Sequence, residues 1–228
     1  NKYQLSLGKT VAEPIRFKNE IDKIDFEQAL AIANPENEKG NALWKKVKDY
    51  WGMSNKGIER IIENIFKIKD IDGVTPLLDD ATKAGLLARL FFEVGKQRFE
   101  ELTDKKHVES EIQSAENIVK LLYAYNLEAI PGEGKTLPVG FALMINKLLF
   151  GDKSASFYFT KSPTLIAEAM GQLKPWAKIF GFRPPVDIDS YIASHTPTSM
   201  LRELMFDSRT ILVGSLQGFA HIFNRRMY

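Results

Sequence analysis

The chain has 228 residues, 44% of them apolar and 26% charged, so it can bury a full core without disulfide or metal staples and is not a mainly disordered chain. Lys and Arg number 31 against 29 Asp and Glu, a net charge of +2, which argues against a strongly basic nucleic-acid binder. Cysteine is absent, which excludes disulfides, thiol catalysis and Cys-ligated zinc.

Residues 1–15 show no clear period and end near Pro14, which predicts an extended arm. Over residues 17–33 apolar side chains recur at helical spacing (Ile21, Ile24, Phe26, Ala29, Leu30, Ile32), and Pro35 stops the run. Trp44, Val47, Tyr50 and Trp51 form a second apolar helical face, and Ile58, Ile61, Ile62, Ile65 and Phe66 a third. Residues 70–76 are a turn cluster. Leu86, Leu87, Leu90, Phe91, Val94 and Phe99 then predict a long helix. The first part of the chain therefore reads as a helical N-terminal region, residues 1–104.

Residues 105–228 have a different character. Residues 127–130 are a short apolar run ending at Pro-Gly. Residues 156–160, Ser-Phe-Tyr-Phe-Thr, and residues 210–213, Thr-Ile-Leu-Val, have the composition of buried strands. Helical patterns lie over 139–150, 165–180 and 219–226. Strands alternating with helices imply a mostly parallel sheet, hence an α/β fold. No apolar run is long enough to span a bilayer, since residues 137–150 are broken by Pro138, Gly140, Asn146 and Lys147. The first residues do not resemble a signal peptide and lack an initiator Met, from which we expect a piece of a longer protein.

One segment carries chemistry. Residues 129–136 read Ala-Ile-Pro-Gly-Glu-Gly-Lys-Thr, the phosphate-loop pattern with Ala in place of the first Gly. A Gly-rich turn between a strand and a helix points successive backbone N–H groups inward, and the helix adds its positive dipole end. Lys135 would reach the β and γ phosphates, and Thr136 would ligate Mg²⁺ through its hydroxyl. An ordinary exposed Gly-rich turn is the alternative. Chance alone produces the pattern in about 2% of chains of this length, which favours the phosphate loop. Pro138 falls in the first turn of the following helix, where proline is tolerated.

The stretch Leu127-Glu-Ala-Ile-Pro-Gly-Glu-Gly-Lys-Thr-Leu137 resembles the first nucleotide-binding motif of the SecA-type preprotein translocase motor, whose loop reads Thr-Gly-Glu-Gly-Lys-Thr-Leu. Gly132 to Leu137 match, and Pro131 replaces the Thr. Further on, Thr160, Leu165, Met170-Gly171 and Gly181-Phe182 take the places of a strand end and the segment after it, and Val213-Gly214-Ser215, Phe219 and Arg225 those of a Tyr-Gly-Thr strand end and its helix. Gln113 is the candidate for the family's adenine-contacting Gln. The resemblance spans about residues 78–228. It implies a partial RecA-like (P-loop) parallel sheet with flanking helices, with Gly132, Glu133, Gly134, Lys135 and Thr136 cradling ATP and Mg²⁺.

The departures are equally specific. The family's two Arg after the strand end become Ala167 and Glu168, and its Phe-Asp-Tyr-Leu-Arg-Asp becomes His221-Ile-Phe-Asn-Arg-Arg226, losing both Asp. The chain stops before the Asp-Glu motif that would hold Mg²⁺, and the second lobe, with its Arg, is absent too. The expected function is ATP binding by a fragment of a motor that couples hydrolysis to polypeptide translocation. No catalytic residue is expected within the chain, which by itself should hydrolyse ATP slowly or not at all. The expected partner is a polypeptide, with translocon or peripheral membrane contact through the parent protein, a cytoplasmic setting, and nucleic acid disfavoured. The alternative is a degenerate SecA-like module serving as a protein-interaction scaffold, for which a secreted bacterial effector is one setting.

The remaining features read as structural. His107, His195 and His221 form no metal-ligand pattern. Asp187-Ile-Asp189 reads as a loop or helix start, and Asp79-Asp80 as the first turn of a helix. Trp44, Trp51 and Trp176 read as core, and Arg225-Arg226 as a solvated helix end.

Overall fold

The structure is a computed structural model that describes residues 6–7, 10–11, 20–48, 54–67, 78–103, 114–123 and 136–224. The chain divides into two compact units, residues 1–145 and 146–228. The sequence boundary at 104/105 lies outside the described residues, as do the predicted strand over 127–130, Trp51, His107 and Arg225-Arg226.

The first unit is helical. The N-terminal arm contributes β1 (Ser6–Leu7) and β2 (Thr10–Val11), paired antiparallel with Ser6 opposite Val11. Then come α1 (Glu20–Ala33), α2 (Glu38–Lys48), α3 (Asn55–Lys67), α4 (Asp80–Thr103) and α5 (Ala115–Tyr123). Four of these helices begin the same way. A short polar side chain ahead of the first turn accepts an amide N–H three residues on: Asn37 from Gly40 (2.7 Å), Ser54 from Gly57 (3.1 Å), Asp79 from Thr82 (2.7 Å) and Ser114 from Asn117 (3.2 Å). These caps satisfy N–H groups that have no partner inside the helix.

Helix α1 packs along α4 and α5. The buried side chains are Phe26, Ala29 and Ile32 from α1, Leu86, Leu87, Leu90 and Phe91 from α4, and Ile118 and Val119 from α5. Gln28 donates to Asp79 Oδ2 at 2.6 Å and to Thr82 Oγ1 at 2.9 Å, tying α1 to the start of α4. Arg89 is buried on α4. Its Nη2 donates to Asn41 Oδ1 at 2.7 Å and its guanidinium lies 5.6 Å from the Trp44 ring centre. Burial lowers the Arg89 pKa, opposed by the charges of Glu93 and Glu116. Trp44 is in the core as predicted.

Helix α6 (Thr136–Phe150) covers the helical pattern read over 139–150, and the division between units falls within it. A 3-10 turn (Gly151–Lys153) follows. The second unit continues with β3 (Phe157–Thr160), α7 (Pro163–Ile179), β4 (Val186–Asp187), α8 (Ile188–Ala193), α9 (Thr198–Phe206), β5 (Leu212–Ser215) and α10 (Leu216–Asn224). The three strands form a parallel sheet in the order β3-β5-β4, with Phe157 and Val186 both aligned with Leu212. The described chain is thus mostly helical with one small parallel sheet, which is α/β in coarse terms.

Apolar cohesion explains the second unit's layout. Ile188, Leu201, Met205, Leu212, Phe219 and Ile222 form one buried cluster, and α7 buries Ile166, Ala169, Leu173, Trp176 and Ala177. Phe157 and Phe159 of β3 both meet Phe219 edge-on, with ring centres 4.5 and 4.4 Å apart. Helix α7 starts at Ser162, which caps Leu165 N, with Pro163 in the first turn. It ends at Gly181, whose φ of +73° lets Phe182 N reach back to Ala177 O at 2.7 Å.

The element edges differ from the sequence reading in places. The predicted strand over 210–213 runs from Leu212 to Ser215, because the Thr210 hydroxyl donates to Asp207 and holds that residue in a turn. The final helix starts at Leu216, earlier than residue 219. Helices α5 and α9 have no counterpart in the reading. Each is nine residues long, too short for a sustained 3.6-residue period to stand out.

Candidate functional site

Of the predicted nucleotide-site residues, Thr136 falls within the described part of the chain; Gln113, Gly132, Glu133, Gly134 and Lys135 lie outside it. Thr136 is the first residue of α6. Pro138 is the third, a position whose missing N–H costs no intrahelical bond. Leu137, Phe141, Met144 and Ile145 are buried, and Phe141 meets Phe91 edge-on at 5.4 Å. The helix is therefore held by its apolar face.

The other end of α6 carries a feature the sequence reading saw only as a break in a greasy run. Lys147 is 1% exposed. Its amine donates to Ser154 O at 2.5 Å and to Met205 O at 2.9 Å. The preceding Asn146 donates from Nδ2 to Ser154 Oγ at 3.1 Å and Ser156 Oγ at 3.2 Å. Burial pushes the Lys147 pKa down, while the Asp207 and Asp152 charges pull it back up. Burial pushes Asp207 up, but this is outweighed by hydrogen bonds from Arg209 N and the Thr210 hydroxyl and by the Arg183 and Lys147 charges. The Asp207 carboxyl ends below its ordinary value. A lysine among apolar neighbours on a helix is the signal that marks this site in the sequence.

At the carboxyl ends of the strands, where open α/β sheets place their ligands, the polar groups are used in capping. The Thr160 hydroxyl donates to Ser162 O. Asp187, ending β4, accepts from Asp189 N at 3.0 Å and Ser190 N at 3.3 Å and so caps α8, the helix start that the sequence predicts there. Ser215, ending β5, accepts Gly218 N at 3.0 Å and opens α10. Asp189 grips that junction. Its Oδ2 accepts Ser215 N at 2.6 Å and its Oδ1 the Ser215 hydroxyl at 2.9 Å. This edge offers fixed turns and capped helices, with its carboxylates bound to backbone amides.

Among the described residues, no group of three or more His, Asp or Glu side chains is placed to hold a metal ion. Among them also, no helix is long and apolar enough to cross a membrane. No protein-family model, curated protein or solved structure matches the chain.

Proposed function

We propose that the chain binds Mg-ATP through Gly132, Glu133, Gly134, Lys135 and Thr136, as the first, RecA-like lobe of a SecA-like motor. What supports this reading is the Gly-Glu-Gly-Lys-Thr run of residues 132–136 in the sequence, with residues 136–150 helical. Phosphate binding needs this arrangement, because the first helical N–H groups and the dipole must follow the glycine turn without a gap. The parallel sheet adds support, since β5 inserted between β3 and β4 is a strand order that crossover connections generate. The fastening of Asn146 and Lys147 to the residues ahead of β3 also fits, because a helix of a doubly wound fold ends on the side where strands begin. Thr136 would ligate Mg²⁺ and Gln113 would contact adenine. Polypeptide is the partner class, and hydrolysis awaits the carboxylates and Arg of the rest of a motor.

A second reading is a SecA-like module retained as a protein-interaction scaffold. It is favoured by Asp187, the carboxylate at the end of β4, being committed to the cap of α8, and by Asp189, within α8, being committed to Ser215. Calorimetric titration of Mg-ATP against the native chain and Lys135→Ala separates the two. Binding that Lys135→Ala weakens about tenfold or more supports the nucleotide site. Absence of binding by a well-folded native chain favours the scaffold.

A further inference from the structure

We draw no further inference here: the strongest candidate, the exposed apolar surface at the carboxyl ends of β3 and β5, where Phe159 is 50% and Leu216 71% exposed, carries none because nothing in the structure shows what covers it.

Discussion

Gly218→Ala should destabilise the protein, although the same change in an exposed helix usually stabilises by about 1 kcal/mol. A Cβ at residue 218 would overlap Asp189 Oδ1 and lie 3.0 Å from its Cγ. Asp189 would have to leave, giving up its bonds to Ser215 N and to the Ser215 hydroxyl. Hydrogen bonds to a charged group contribute about 1.5–3 kcal/mol when well shielded. Asp189 is only partly buried, so the pair together should contribute about 3 kcal/mol. Gly218→Ala then costs about 2 kcal/mol after the helix-propensity gain. Asp189→Ala loses the same bonds, about 3 kcal/mol, but opens the space that the new methyl needs. The double variant should therefore cost about 2 kcal/mol, against about 5 if the effects added, a coupling of about 3 kcal/mol. Urea denaturation of the native chain, both single variants and the double variant measures it. Additive costs, or a Gly218→Ala chain as stable as the native one, would refute the idea that the glycine exists to admit the carboxylate.

Other expectations follow from the same bonds. Lys147→Met leaves the Ser154 and Met205 carbonyls without their donor but removes a buried charge, for a net loss of about 2 kcal/mol at neutral pH. Because burial holds the native Lys147 pKa below its ordinary 10.5, the unfolded chain binds more protons between the two values. The native chain should gain stability relative to Lys147→Met as pH rises toward 10.5, and a relative loss in urea titrations there contradicts this. Asp207→Asn works in the opposite sense. The native carboxyl sits below its ordinary 3.8, so its contribution is present above that pH and fades as pH falls through the lowered value. Acid denaturation of the pair should converge, and a gap that persists below that value contradicts it. Asp79→Ala removes the cap of α4 and the bond from Gln28, and should cost about 1–2 kcal/mol by denaturant melt; a neutral substitution would contradict that account of the cap.

The parts of the fold that the sequence announces are those with long periods. The apolar stripes of α1, α3, α4 and α7 persist for several turns, and the aromatic run of β3 is bounded by turn residues on both sides. Helices α5 and α9 are too brief to raise such a signal, and their caps at Ser114 and Pro197 look like ordinary loop residues. Strand β4 is two residues long and its identity depends on pairing with β5, a tertiary fact. The site divides in a similar way. The Gly-Glu-Gly-Lys-Thr motif is legible as a pattern because the chemistry proposed for it needs those residues in that order, and residues 132–135 lie outside the described part of the chain. The bonds of Lys147 are not legible, because both acceptors are backbone carbonyls and carbonyls leave no mark in a sequence. The grip of Asp189 on Ser215 joins residues 26 apart through the sheet, which spacing alone does not reveal.

The most direct test of the central claim is amide hydrogen exchange of the chain with and without Mg-ATP, repeated with Lys135→Ala. The account predicts nucleotide-dependent protection concentrated at residues 132–140, the glycine turn and the first turn of α6, and its loss in Lys135→Ala. Saturating Mg-ATP that leaves the exchange of residues 132–140 unchanged, or that protects a different segment equally in both chains, would contradict it.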